Sequence, residues 1–216
     1  MYFKTNLENF GVVLKGASLS RISEISNKFQ HCFIVNNNNL EYKNLSKFII
    51  DKEIAHFVNR SMTAPLKRKY YKELKIKNIQ FNKAEIDEDI EKVKRIYEKF
   101  GLTCHMLPEE LIDYNEYFSG KGDYERKHPN TGVLAIIYAV HVIKPKKLWI
   151  IGLDFYQSDY LFRRRWNNPL SGQREKMERL DISGQFIKLV KENPNIEFNL
   201  ITNSNSLPKI DNLNIL

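Results

Sequence analysis

Cysteine is scarce in this sequence. Cys32 and Cys104 are the only two in 216 residues, too few for a disulfide framework or a thiolate metal site. Both stand among apolar neighbours and read as core thiols of a protein from a reducing cytoplasm. No apolar run is long enough to cross a bilayer, and the stretch MYFKTNLENFG has no apolar signal-peptide core. HExxH spacing and clustered Cys/His are missing, so neither a metal nor a resident cofactor is expected. GxSxG and Cys/His nucleophile arrangements are missing too. There is no GxGxxG and no Walker lysine. The five histidines, His31, His56, His105, His128 and His141, are scattered, and none follows His141.

What is present is a globular composition with a basic balance. Hydrophobic residues make up 42% and aromatics 12% of the chain, enough for one domain with a proper core. The net charge of +8 suits an anionic partner: nucleic acid, an acidic membrane face or a phosphorylated small molecule. The basic clusters are Lys67 to Lys69, Lys144 to Lys147 and Arg163 to Arg165. The first two read as solvated faces. None carries interleaved aromatics in a recognised motif, so nucleic acid is not the expected partner.

The chain is organised around residues 130–160. Thr131-Gly132 opens a run, Val133 to Ile143, that is apolar nearly all round and predicts a buried helix with Thr131 as its N-cap. Pro145 ends it. Leu148 to Ile151 predicts a central parallel strand buried on both faces. Gly152-Leu153-Asp154-Phe155-Tyr156 follows it, where open α/β sheets place their ligands. Asp154, Tyr156 and Tyr160 are therefore site candidates. The free N–H groups of Thr131 and Gly132 suit an anion.

Strands are also expected at Gly11–Leu14, Cys32–Val35, Ile54–Val58, Ile76–Phe81, Leu102–Leu107 and Ile196–Ile201. Helices are expected over Ser18–Phe29, Pro65–Leu74, Ile86–Phe100, Glu109–Phe118 and Lys176–Glu192. The alternation predicts a single Rossmann-like α/β domain over residues 1–216, a mainly parallel sheet with helices on both faces. The turn Lys15-Gly16-Ala17-Ser18 after the first strand is either a phosphate-approach turn or a plain βα connection. Asn36 and Asn59 end successive strands, where an amide can read a base or ribose edge. Residues 158–175, rich in arginine and aromatics, read as a lid over an anionic ligand, with Arg163 and Arg164 as contacts. His141 reads as a satisfied core histidine. His128 stands beside the Thr131-Gly132 anion site. Such a site can bind a nucleotide phosphate without metal, and Tyr156 and Tyr160 can donate hydrogen bonds to it as it leaves. Each such donor supplies about 2–4 kcal/mol of transition-state stabilisation.

These residues resemble a known family, the bacterial sialyltransferases of glycosyltransferase family 42, which build lipooligosaccharide and capsule glycans. Gly152 to Gln157 (GLDFYQ) resembles that family's Gly-Ile-Asp-Phe-Tyr-Gln segment. Thr131-Gly132 stands for its Ser-Gly, and Lys15 to Leu19 for its Asn-Gly-Pro-Ser-Leu. Asn36 and Asn59 match two strand-end asparagines, Tyr156 and Tyr160 a tyrosine pair on the donor phosphate, and Asn203 to Leu207 a Pro-Asn-Ser-Leu segment.

The resemblance implies a GT-A-variant fold and metal-independent, inverting transfer from CMP-sialic acid or a related CMP-sugar. It implies a glycan or lipid-linked glycan acceptor, a cytoplasmic protein peripheral to the inner membrane face, and a homo-oligomer. Lys15, Gly16, Ser18, Asn36, Asn59 and Asp154 would hold CMP, and Thr131 and Gly132 the sugar carboxylate. The family's lid histidine base has no counterpart. Gln173 to Asp181 offers Glu175, Lys176, Glu178 and Asp181 instead, and the lid is shorter. Two readings stay open: His128 acts as base from the other side of the site, with its ordinary pKa near 6.5 suited to the task, or the chain binds CMP without turnover.

Overall fold

The first strand of the chain lies in the middle of the sheet. In the computed structural model, which describes residues 2–36, 42–58, 68–83, 86–111, 131–155 and 182–216, eight parallel strands form one sheet. They are β1 (Asn9–Val13), β2 (His31–Val35), β3 (Glu53–Val58), β4 (Asn78–Phe81), β5 (Thr103–His105), β6 (Lys147–Ile151), β7 (Glu197–Ile201) and β8 (Leu213–Ile215). The order is β5-β4-β3-β2-β1-β6-β7-β8. The chain winds outward from β1 to β5, returns to the centre, and winds out the other way from β6. The winding reverses between β1 and β6, in register Val12 to Ile150 and Val13 to Ile151. Crevices for ligands open at such a reversal, beyond the carboxyl ends of the strands.

Alternation along each strand feeds two cores. Phe10, Val12, Phe33 and Phe57 face one side, where they meet α3 (Thr131–Tyr138) and α4 (Ile182–Glu192). Val13, Cys32, Ile34 and Ile79 face the other, against the short helices Ala17–Glu24 and Tyr42–Phe48, α1 (Arg68–Glu73) and α2 (Glu88–Lys99). Both faces of the central strands are covered, which is why their sequences read as continuous apolar runs rather than alternating ones. The α3 segment is apolar all round because it is buried. After Tyr138 it widens into a π-helical turn, Ala139–Ile143. Lys144 closes it at φ 53°, its N–H donating to Ala139 O at 2.9 Å. Among the described residues no helix is long and apolar enough to cross a membrane.

Four expectations differ from the structure. The segment after β1 is a 3-10 helix ending at Glu24, not an α-helix to Phe29. Its first turn is pinned by tertiary bonds from Ser18, which override the helical period. Glu109–Leu111 is a single 3-10 turn within the described part of that segment. The helix already includes Thr131 as its first residue, so Thr131 belongs to its first turn. Finally β8, too short and polar to stand out as LNI, adds an edge strand beside β7. Cys32 is fully buried and Cys104 half-buried. Burial pushes both thiols up to about 12, so both stay protonated and unreactive.

Candidate functional site

The tips of β1, β6 and β7 are tied together by polar groups from far-apart parts of the chain. Gly16 N–H donates to Gly152 O at 2.9 Å, carrying the β1–β6 ladder beyond the strands. Ser18 N–H donates to Asp154 Oδ2 at 2.9 Å. Asp154 Oδ1 accepts from Asn203 N at 3.0 Å, and the Thr202 hydroxyl, 3.3 Å from the same oxygen, gives its single proton to Leu153 O at 2.8 Å. The Ser18 hydroxyl donates to Ile201 O and accepts from Gly152 N, both at 3.1 Å. Ser18, Asp154 and Thr202 are all buried. Both oxygens of a buried carboxylate are thus met by donors, which is the condition for keeping it there.

Two glycines make this close approach feasible. A Cβ on Gly16 would lie 2.5 Å from both Asp154 Oδ2 and Gly152 O. Gly152 has φ +82°, and a Cβ there would lie 2.6 Å from Leu14 C and O. The single glycine of the Lys15–Ser18 turn is therefore demanded by the β6 tip beneath it. One backbone donor of this turn, Ser18 N–H, is already held by Asp154.

The tips of β2, β3 and β4 are built differently. Asn36 follows β2 at φ 55°, and its N–H donates to Phe57 O at 2.8 Å. His56, fully buried in β3, lies with Nε2 2.7 Å from Asn36 O and Nδ1 3.0 Å from Tyr71 OH on α1. A carbonyl only accepts, so Nε2 carries the proton and Nδ1 accepts from the Tyr71 hydroxyl. Burial pushes the imidazole down to about 4, against the opposing pull of the Asn36 carbonyl, so it is neutral. Asn82 follows β4 and donates through Nδ2 to the Thr131 hydroxyl at 3.4 Å, while its Oδ1 is buried without a hydrogen-bond partner among the described residues. The start of α3 is thereby set against the β4 tip.

The structure brings Gly16, Ser18 and Asp154 together at the winding reversal, with Lys15 beside them. It puts Asn36 at the neighbouring tip, and Thr131 and Gly132 at the start of α3. Asn59, His128, Tyr156, Tyr160, Arg163, Arg164 and Arg165 lie outside the described residues, as do the lid at 158–175 and Glu175, Lys176, Glu178 and Asp181. His141 is only half-buried; burial, then Lys144, lowers its pKa. Asn82, Thr202 and His56 were not singled out from the sequence. Asn82 had a readable signal, being a further asparagine directly after a strand. The one Asp-x-Asp spacing in the chain, Asp87 to Asp89, opens α2, where Asp87 Oδ1 caps Ile90 N at 2.8 Å. Among the described residues no group of three or more His, Cys, Asp or Glu is placed to hold a metal ion.

No family model and no curated protein matches this sequence. Solved structures do. A crystal structure of the sialyltransferase CST-II with a trisaccharide acceptor and CMP matches with a TM-score of 0.55 at 22% identity, over 89% of this chain and 80% of that one. The monofunctional alpha-2,3-sialyltransferase Cst-I from Campylobacter jejuni matches with a TM-score of 0.55 at 18% identity, over 96% and 79%. A mammalian sialyltransferase matches with 0.53 at 13% identity, over 89% and 68%. The fold is that of the sialyltransferases. At these identities the likeness is one of architecture.

Proposed function

We propose that this protein is a glycosyltransferase of the family 42 type, which moves sialic acid or a related acidic sugar from a CMP-sugar to a glycan acceptor. One observation carries the reading. The polar strand tips gather at the winding reversal of a fold shared with sialyltransferases, one of them solved with CMP and an acceptor trisaccharide. Lys15 and Gly16 form the turn nearest the nucleotide, and Asn36 and Asn59 read its base and ribose. Ser18 and Asp154, buried and hydrogen-bonded to the protein itself, hold that turn from beneath. Thr131 and Gly132 take the sugar carboxylate at the helix start. Tyr156 and Tyr160 donate to the phosphate while the bond from the anomeric carbon to CMP breaks. An acceptor hydroxyl forms the new bond from the opposite face, giving inversion, and His128 takes its proton. Arg163 and Arg164 close over donor or acceptor. No metal is required in this scheme, because the hydrogen-bond donors meet the leaving charge. The setting is lipooligosaccharide synthesis in a bacterial cytoplasm, by an oligomer peripheral to the inner membrane face.

The test is thermal melting with CMP and CMP-sialic acid, followed by donor turnover with and without chelator. Stabilisation by both ligands, and turnover unaffected by chelator, is the expected result. No shift with either at millimolar ligand overturns the reading. Tyr156→Phe should reduce turnover about 10²-fold, in line with loss of one such donor. A second reading is favoured by one observation, the lack of any histidine after His141: a CMP-binding protein without turnover. It predicts the same melting shift and no donor hydrolysis.

A further inference from the structure

We propose that His56 is a positioning residue: it clamps Asn36 in the left-handed conformation at the tip of β2, so that Asn36 is set in place before the nucleotide arrives. The ligand part of this inference rests on the CMP reading above. The clamp itself rests on geometry.

A buried imidazole in the middle of a parallel sheet is an expensive choice, since an unsatisfied polar group there costs several kcal/mol. The rest of β3 from Ile54 to Val58 is apolar, and an apolar side chain would fill the slot without that penalty. His56 meets the penalty by being bonded at both ring nitrogens. Tyr71 OH donates to Nδ1 at 3.0 Å, and Nε2–H donates to Asn36 O at 2.7 Å. Tyr71 is itself buried, its ring edge-on to Tyr97 with centroids 6.0 Å apart. The line therefore runs from a fixed phenol on α1, along one face of the sheet, to one carbonyl. That carbonyl belongs to a residue at φ 55°, a conformation that disfavours most side chains and that asparagine tolerates. The Asn36 N–H is fixed as well, to Phe57 O at 2.8 Å. With both backbone polar groups held, the Cα–Cβ bond from which its side chain starts is fixed as well. A site gains from groups locked before binding, because less freedom is lost on binding.

The experiment compares wild type with His56→Gln and His56→Asn. A glutamine amide reaches about where Nε2 lies and keeps a donor for Asn36 O; the shorter asparagine amide does not. The first readout needs no ligand: backbone chemical shifts of Asn36. They should stay left-handed in His56→Gln and leave that region in His56→Asn. Unchanged Asn36 shifts in His56→Asn overturn the clamp. In wild type, ¹⁵N spectra should show the Nε2-protonated tautomer; the Nδ1-protonated form overturns it without any variant having to fold. The second readout is CMP affinity. His56→Gln should stay within about threefold of wild type, and His56→Asn should weaken about tenfold, the equivalent of one hydrogen bond's positioning. Equal affinity in both variants overturns the role in ligand binding. Wild type that fails to bind CMP sinks the proposed function instead, and the shifts and tautomer alone then decide the clamp.

Discussion

Two groups of strand tips, those at the winding reversal and those beside it, carry similar polar residues and use them differently. On the β1–β6–β7 side, Ser18, Asp154 and Thr202 bond inward and hold backbone to backbone. On the β2–β3–β4 side, Asn36 and Asn82 sit directly after the strands, and Asn82 keeps a buried carbonyl oxygen with no hydrogen-bond partner among the described residues. The first is a buried joint of side chains to backbone, the second a set of tips held by a buried imidazole and one long amide–hydroxyl bond. A polar residue at a strand tip is thus not by itself a ligand contact. What marks the joint is that Ser18 and Asp154 commit their polar groups to the backbone of the protein itself.

The largest expected effect tests the joint. Asp154→Ala strands the buried N–H of Ser18 and takes the partner from the N–H of the exposed Asn203, and should destabilise by about 2–4 kcal/mol, read by urea unfolding. If the loss is under 1 kcal/mol, the two sides do not differ as described. Next comes the brace. His56 is neutral in the fold, with its pKa near 4, and takes a proton near 6.5 when unfolded. Between those values the unfolded chain binds more protons, so stability rises with pH. The contribution is complete above pH 6.5 and lost as pH falls toward 4. It amounts to about 3 kcal/mol at most. Unfolding curves at pH 7 and 4.5 should differ more in wild type than in His56→Gln, and the difference isolates His56 from the half-buried His105 and His141, which shift the same way.

Gly152→Ala should cost about 2–3 kcal/mol, from the left-handed backbone and the contact with Leu14. Melting temperature will show it. The smallest effect is expected at Asn82. Asn82→Ala removes one long hydrogen bond and one unpartnered oxygen together, so stability should change by under about 1 kcal/mol. A large loss there would make the β4 tip a joint like Asp154.

The fold was legible wherever burial writes itself along the chain. Leu148 to Ile151 and Cys32 to Val35 are runs that only a strand covered on both faces explains, and both were placed to within a residue. The parallel sheet covered on both faces followed from the alternation of strands and helices, whereas the strand order is a finding of the structure. What stayed hidden is set by pairs distant in sequence. Ser18 and Asp154 are 136 positions apart, and Ser18 and Ile201 are 183 apart. No local pattern shows that the carboxylate bonds the backbone of the Lys15–Ser18 turn. His56 read as one scattered histidine, because its meaning comes from Tyr71 and from the carbonyl of Asn36. The 3-10 character of Ala17–Glu24 has the same origin.

The central place of β1 also bears on how the chain is made. Its partner β6 begins at Lys147, so a growing chain exposes one bare edge of β1 until more than half of the polypeptide has left the ribosome. The strands from β1 to β5 can pair as they emerge, since each neighbours the one before it. The remaining three must add to an open, apolar edge, the arrangement most prone to mispairing between nascent chains. The crevice then exists only once β6 has been added, and slow translation across residues 14–147 would lengthen the period in which a chaperone has to guard that edge.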